Sequence, residues 1–393
     1  MKGSWRVLFQ FGLVAILCGS FALAATTSHS KKTKTSQTKH AVAHNLAHNV
    51  VYAVPLKVPA PAPTVKKLAS TGGGTWRVPN YADSTLGDFI DGDDLTARRA
   101  AVDALGKLNG SVVVEDPTTG RVLSVVNQKL AFKSGFQPCS TIKVPVALAA
   151  LSETVVDRTT LIRIYGGTTI SLTDALAKSN NQYFASLGEK LGFERVSYYA
   201  HLFGLGEKAG LDIDGEQAGI LPSETPKSGM GMMTSFGDGI SLTPLEYAAL
   251  MGAVANGGSL YYLQYPRTQQ DATTLIPRIK RRLDIADLIP EIKPGMMGAV
   301  EYGTARRAIF DANEPVFGKT GTCTDSRSPT HLGWFGSFRE VGQQKIVVVV
   351  LLTGGSAVSG PTAAGVAGQV YRNLDAQNFF ALATGRAGSF AIH

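Results

Sequence analysis

Strand-forming runs gather near the two ends of the part of this chain that can fold, and the sequence between them reads mostly as helix, with glycine-rich breaks, to about residue 310. Residues 111–115 and 121–126 are β-rich, and the Asp-Pro-Thr-Thr-Gly stretch between them has the Pro and Gly of a hairpin turn. Residues 316–323, 332–338 and 345–352 read as three further strands, and 362–373 as a closing helix. That order implies a chain that leaves a sheet, builds a helical lobe and returns to complete the sheet. The fold class is α+β, with an interface between lobes of the kind where active sites commonly sit. Two helices have clear signals. Residues 94–108 place Val102, Leu105 and Leu108 on one face before Asn109-Gly110. Thr243-Pro244-Leu245-Glu246 supplies an N-cap hydroxyl, a first-turn Pro and a Glu placed for a capping box.

Charge divides the chain. Residues 1–75 carry nine Lys or Arg and no Asp or Glu, which exceeds the net +8 of all 393 residues, so the remainder is slightly acidic. A nucleic-acid partner for the folded part is therefore not indicated. Residues 1–24 have Lys2 and Arg6, an apolar run over 7–17 and the small residues of Ala22-Leu23-Ala24, the pattern of an export signal. The run 7–25 is also about long enough to span a bilayer at ~1.5 Å per residue, so cleaved signal and membrane anchor both stand. Leu17 before Cys18 is larger than the small residue that lipoprotein processing prefers. Residues 25–75, with Lys31, Lys32 and Lys34 and the Pro-Ala stretch 58–63, have the composition of a disordered tether that could lie on an anionic lipid or polymer surface. A single domain is expected over 76–380, starting near Trp76, and a short tail over 381–393.

Ser140-Thr141-Ile142-Lys143 sets a hydroxyl and an amine three residues apart, on one face of a helix. A serine hydroxyl is a poor nucleophile until a base stands beside it, and a lysine made neutral by burial or neighbouring positive charge can be that base. The spacing alone is weak, since it recurs at 28–31 and 36–39 in the basic segment. Two other groups strengthen it. Ser179-Asn180-Asn181 offers a hydroxyl that can relay a proton and an amide that can hold a peptide group. Lys319-Thr320-Gly321-Thr322 offers a cation and hydroxyls suited to a carboxylate, with Gly321 leaving the strand edge open. Singly, the first could be a turn and the second a strand end. In this order and on these elements they describe a polypeptide-processing site.

The three groups resemble the Ser-x-x-Lys, Ser-Asp-Asn and Lys-Thr-Gly set of penicillin-binding proteins and class A β-lactamases. The hairpin 112–123 looks like the family's opening strands. Gly237-Asp238-Gly239 with Thr243-Pro244-Leu245, Ala255-Asn256-Gly257-Gly258, Gly303-Thr304-Ala305 and Trp334-Phe335 resemble monofunctional class B transpeptidases. The likeness covers about residues 94–373. It implies an antiparallel sheet flanked by helices with an inserted all-helical lobe, and a D,D-transpeptidase that needs neither metal nor organic cofactor. Residue by residue it implies Ser140 as nucleophile, Lys143 as base, Ser179 as proton relay, and Asn181 holding the donor stem peptide. Lys319, Thr320 and Gly321 would line the carboxylate site, and the backbone N–H groups of Ser140 and Thr322 the oxyanion hole. Implied partners are peptidoglycan stem peptides, β-lactams as covalent inhibitors and a membrane glycosyltransferase, with membrane association and an extracytoplasmic location. Some related class A β-lactamases with carbapenemase activity carry a disulfide at the positions of Cys139 and Cys323, which implies a Cys139–Cys323 bond here.

The chain departs from the pattern in three places: about 90 residues before the domain are few for a class B pedestal, there is no room for a glycosyltransferase domain, and Ser140 to Ser179 is short. A β-lactamase fits less well, because no Glu-x-x-Leu-Asn segment is present and Asn181 stands where class D enzymes usually have a hydrophobic residue. A D,D-carboxypeptidase stays open, since acceptor choice is written in the groove. A β-lactam sensor would need several spans, and a non-catalytic scaffold could dispense with Ser140. His331 is read as a surface or edge residue and Asp238 as shaping a turn. His29, His40, His44 and His48 lack the spacing of a zinc site.

Overall fold

The computed structural model describes residues 78–133, 135–325 and 329–380. Trp76, the export or anchor segment, the basic segment and the tail over 381–393 lie outside the described residues.

The chain enters through α1 (Leu95–Leu105), whose Asp94 cap accepts the N–H groups of Thr96 and Ala97 at 3.0 Å each. This helix ends three residues sooner than the sequence pattern suggested. Gly106 takes φ +56°, a conformation L side chains rarely adopt, and turns the chain towards the first strand. The buried face is correspondingly small-sided, Ala97, Ala100, Ala101 and Leu105, while Val102 and Leu108 are half-buried. β1 (Gly110–Asp116) and β2 (Arg121–Val126) then form the expected hairpin. Asp116 holds its turn by accepting the Thr118 N–H at 2.9 Å and hydroxyl at 2.6 Å.

After α2 (Gln128–Ala131) the expected helix over 140–151 is two pieces, a 3-10 turn at Cys139–Ile142 and α3 (Lys143–Ser152). The helical lobe follows with α4 (Leu172–Ala177), α5 (Asn181–Leu202), α6 (Met230–Phe236), α7 (Pro244–Asn256), α8 (Gln269–Thr274) and α9 (Ile289–Glu301). Two small hairpins interrupt it, β3 (Ile162–Arg163) with β4 (Thr169–Ile170) and β5 (Ser259–Tyr261) with β6 (Ile279–Arg282). Strands of two to four residues are too short to carry a period, which is why the lobe read as helix and loop. The α7 capping box is present: Glu246 accepts the Thr243 N–H at 2.6 Å and Thr243 Oγ1 accepts the Glu246 N–H at 3.0 Å. The same carboxylate also accepts the N–H groups of Gly206 and Gly219, so it ties two loops to the helix start.

The chain returns through β7 (Val316–Thr324), β8 (His331–Val341) and β9 (Gln344–Gly354) and closes with α10 (Gly360–Ala376). The five long strands make one antiparallel sheet in the order β2-β1-β9-β8-β7, with the last strand hydrogen-bonded to the first. β9 is apolar on both faces. Val347, Val349 and Leu351 join the core shared with α3 and α7, whereas Ile346, Val348, Val350 and Leu352 join the core shared with α1 and α10. A strand with period-two side chains and helices on both faces needs such an unbroken apolar run. β7, by contrast, is an edge strand, and its free edge faces the 3-10 turn at Cys139–Ile142.

One buried charge sits badly in this frame. Glu115 on β1 lies against Gly252 of α7, Oε2 accepts no hydrogen bond, and burial drives its carboxyl well above the usual range. The native state then holds a proton that the unfolded chain releases, so stability falls as pH rises from about 4 through the folded-state value. Glu115→Met should therefore raise stability at pH 7.5 by about 2 kcal/mol. Urea unfolding of both proteins should show the gap shrinking at pH 4.5; an unchanged or lower midpoint at pH 7.5 would count against it.

Candidate active site

Three elements converge where the free edge of β7 meets the start of α3. Cys139, at φ +54°, bends the chain into the 3-10 turn, so that Ser140 and Lys143 lie three residues apart at its junction with α3. Between α4 and α5 the chain passes through Ser179 at φ +56°, a left-handed conformation that normally favours Gly. Asn180 then caps α5, its Oδ1 accepting the Tyr183 N–H at 2.8 Å. A non-glycine residue in that strained position is the sort of cost proteins carry at functional sites.

Lys143 stands at the centre. It is fully buried, and its Nζ lies 3.1 Å from Ser140 Oγ, 3.1 Å from Ser179 Oγ, 2.8 Å from the Ser179 carbonyl and 2.6 Å from Asn181 Oδ1. Burial brings its pKa down to about 7. In the neutral amine the two N–H bonds can serve the Ser179 carbonyl and Asn181, which cannot donate in return. The lone pair is then left for a serine hydroxyl. The short interval between Ser140 and Ser179 is thus no obstacle to their meeting, because one amine touches both.

Lys319 of β7, also fully buried, donates to Ser179 Oγ at 2.8 Å and to the Thr320 carbonyl at 2.9 Å. Burial first, and the charge of Lys143 second, hold its pKa well below the usual lysine value. Two amines around one hydroxyl make the doubly charged state costly. Gly321 acts differently from the sequence expectation. A Cβ there would come within 2.8 Å of the Pro138 carbonyl and 3.2 Å of Cys139 Cβ, so the glycine lets the strand lie against the Ser140 turn rather than leaving the edge open. Thr322 Oγ1 accepts the Gly360 N–H at the start of α10 at 2.7 Å.

Cys139 and Cys323 form a disulfide with Cα atoms 5.5 Å apart, joining the Ser140 turn to β7 across 184 residues of sequence. Trp334 Nε1 donates to the Gln137 carbonyl at 3.0 Å and holds the same turn from the β8 side. His331 opens β8, half-buried, with its Nδ1 3.3 Å from Thr324 Oγ1. Asp238 accepts from Ser228 in the turn after α6, as a shaping residue would. Among the described residues no three His, Cys, Asp or Glu side chains gather as a metal cluster.

Two contributors carried no role in the sequence. Ser235 of α6 accepts from Ser140 Oγ through its carbonyl at 3.4 Å, and its hydroxyl donates to the Asn181 carbonyl at 3.0 Å. Thr304 lies with its hydroxyl 2.6 Å from that of Thr320, and its N–H donates to the Ala177 carbonyl at 3.1 Å, two residues before Ser179. Gly303-Thr304-Ala305 was visible as a motif. Nothing in the sequence says which strand the hydroxyl meets.

Over 282 residues the chain is 29% identical to stage V sporulation protein D of Bacillus subtilis, covering 64% of this chain and 44% of that one. It is 24% identical to peptidoglycan D,D-transpeptidase MrdA of Haemophilus influenzae, covering 69% and 54%. With peptidoglycan D,D-transpeptidase PbpA of Mycolicibacterium smegmatis it shares 26% identity over 68% of each chain. The chain thus spans about half the length of the first two relatives. The family model described as the penicillin binding protein transpeptidase domain matches residues 110–374, from the start of β1 to the last turns of α10. On that match, and with the site assembled as described, the chain belongs to the penicillin-binding protein transpeptidase family.

Proposed function

We propose that this chain is a serine D,D-transpeptidase that cross-links peptidoglycan stem peptides through an acyl-enzyme on Ser140. The observation that carries the reading is the single buried amine, Lys143 Nζ, at 3.1 Å from both Ser140 Oγ and Ser179 Oγ. Neutral Lys143 takes the Ser140 proton as the hydroxyl attacks the carbonyl of the penultimate D-alanine. Ser179 passes a proton to the departing D-alanine. Lys319, with Thr320 and Gly321, receives the terminal carboxylate, which supplies the counter-charge that the buried ammonium otherwise lacks. Burial favours the neutral form of Lys143. Asn181 holds the donor peptide, and the N–H groups of Ser140 and Thr322 stabilise the developing oxyanion, a contribution of about 3 kcal/mol per donor. The amine of a second stem peptide then displaces Ser140.

The disulfide beside the nucleophile fits an oxidising compartment, and with it an extracytoplasmic site of action. In that reading the N-terminal segment exports or anchors the domain, near a membrane glycosyltransferase that supplies its glycan strands.

Intact-mass analysis after incubation with a penicillin tests the proposal. The wild type should gain one covalent equivalent that persists for many minutes, and Ser140→Ala none. Rapid loss of antibiotic without adduct would mean a β-lactamase, and neither adduct nor loss would mean a scaffold. Products from lipid-linked stem peptides, cross-linked or merely trimmed, separate transpeptidase from carboxypeptidase.

A further inference from the structure

Beside the Thr304–Thr320 hydroxyl pair lies a cleft of about 520 Å³ lined by Gly303, Thr304, Arg306, Arg307 and Pro361. Its lining has two guanidinium groups and no carboxylate. Arg307 Nη1 donates to Thr362 Oγ1 at 3.3 Å, and neither arginine forms an ion pair among the described residues. Elsewhere on the domain several cations are answered: Arg339 by Asp375 and Glu314, Lys293 and Lys345 by Glu340, Lys280 and Arg281 by Glu207. Pro361 and Thr362 belong to the first turn of α10, a 17-residue helix whose positive end faces the same region. The cleft touches the strand motif directly, since a Cβ at neighbouring Gly360 would meet Thr320 Cβ at 2.8 Å and Thr322 Oγ1 at 3.0 Å. A volume of this size takes a residue-sized group.

We propose that this cleft is an anion subsite for the acceptor, binding a carboxylate carried by the incoming peptide through Arg306 and Arg307. The inference rests on the acyl-transfer reading above. Lys319 and Thr320 are vacated when the terminal D-alanine leaves, and by microscopic reversibility the acceptor amine enters where the leaving amine departed, with the acceptor's α-carboxylate on Lys319 and Thr320. An acceptor with a second carboxylate places it next along, where the two arginines stand. The amine nitrogen then bonds to the acyl carbon, the ester bond to Ser140 Oγ breaks, and the proton lost by the amine returns through Ser179 and Lys143 to Ser140. Thr304 is a positioning residue. Each hydroxyl of the pair has one hydrogen, and when Thr304 donates to Thr320, the Thr320 hydrogen is free for a carboxylate.

The test uses the full chain with an acyl-D-alanyl thioester as donor and D-glutamate or D-glutamine as acceptor, read as the ratio of transfer to hydrolysis. The α-carboxylates are common to both acceptors, so only the side-chain carboxylate distinguishes them. The wild type should prefer D-glutamate by about tenfold, as for a charge-assisted hydrogen bond. Arg306→Gln with Arg307→Gln should abolish the preference and leave the rate of penicillin acylation unchanged, while the double Lys variant keeps part of it. Equal use of the two acceptors by wild type, a preference that survives the Gln pair, or an equal fall in penicillin acylation would each overturn the subsite. Failure of wild type to form a penicillin adduct would instead sink the acyl-transfer reading.

Discussion

Lys143→Met should lower the rate of Ser140 acylation by a penicillin roughly 10²–10⁴-fold near pH 7.5, the range expected for loss of a general base. Methionine has a similar length and no charge, so a site already buried should keep its packing. The amine works only when neutral, and burial places its pKa at about 7. In the wild type the acylation rate should therefore climb about tenfold per pH unit below 7 and level off above it. The Met variant should lose that rise along with the rate. Stopped-flow acylation from pH 5 to 9 reads both. A rise with the same midpoint in the variant would assign the base to another group, and Lys319 would be the first to examine, since its amine touches Ser179 Oγ.

Replacing both Cys139 and Cys323 by Ala should cost about 2–5 kcal/mol of stability, the range for a native bridge closing a long loop. A second effect should be visible in the site. Cys139 is held at φ +54° immediately before Ser140, and the bridge fixes it to the strand that carries Lys319 and Thr320. Without that tie the turn can relax towards a conformation that Ala prefers, and Ser140 moves off Lys143. Acylation should fall more steeply than the stability loss alone explains under conditions where the variant is still folded. Reductant should reproduce the loss in the wild type and leave the double variant unaffected. Thermal unfolding with and without reductant, paired with acylation rates at 20 °C, checks both statements. Unfolding midpoints that do not move would show that the packing of Trp334 against the Gln137 turn suffices.

Much of the fold was legible because it rests on local chemistry. Asp116, Thr118 and Gly120 close the first hairpin by themselves, Thr243 and Glu246 start α7 by themselves, and the unbroken Ile346–Leu352 run demands a strand covered on both faces. The site motifs were equally local, since a Ser and a Lys three residues apart share a face once a helix forms around them. What could be misread locally was the end of α1 at Gly106 and the short β3–β4 and β5–β6 hairpins. A single positive φ or a two-residue strand leaves little trace in a hydrophobic pattern.

The amino-acid sequence by itself determined the five long strands and the main helices, the division between a basic N-terminal segment and a nearly neutral folding part, and which residues are candidates for reaction. Those depend on side-chain chemistry and on neighbours a few residues apart. Only the tertiary structure decided that Lys143 loses its proton near neutral pH, that Ser179 is shared between two amines, that Gly321 is a point of close approach, and that Thr304 meets Thr320. Each of these follows from desolvation or contact between segments far apart in the chain, and both come into being only when the sheet closes on the helical lobe.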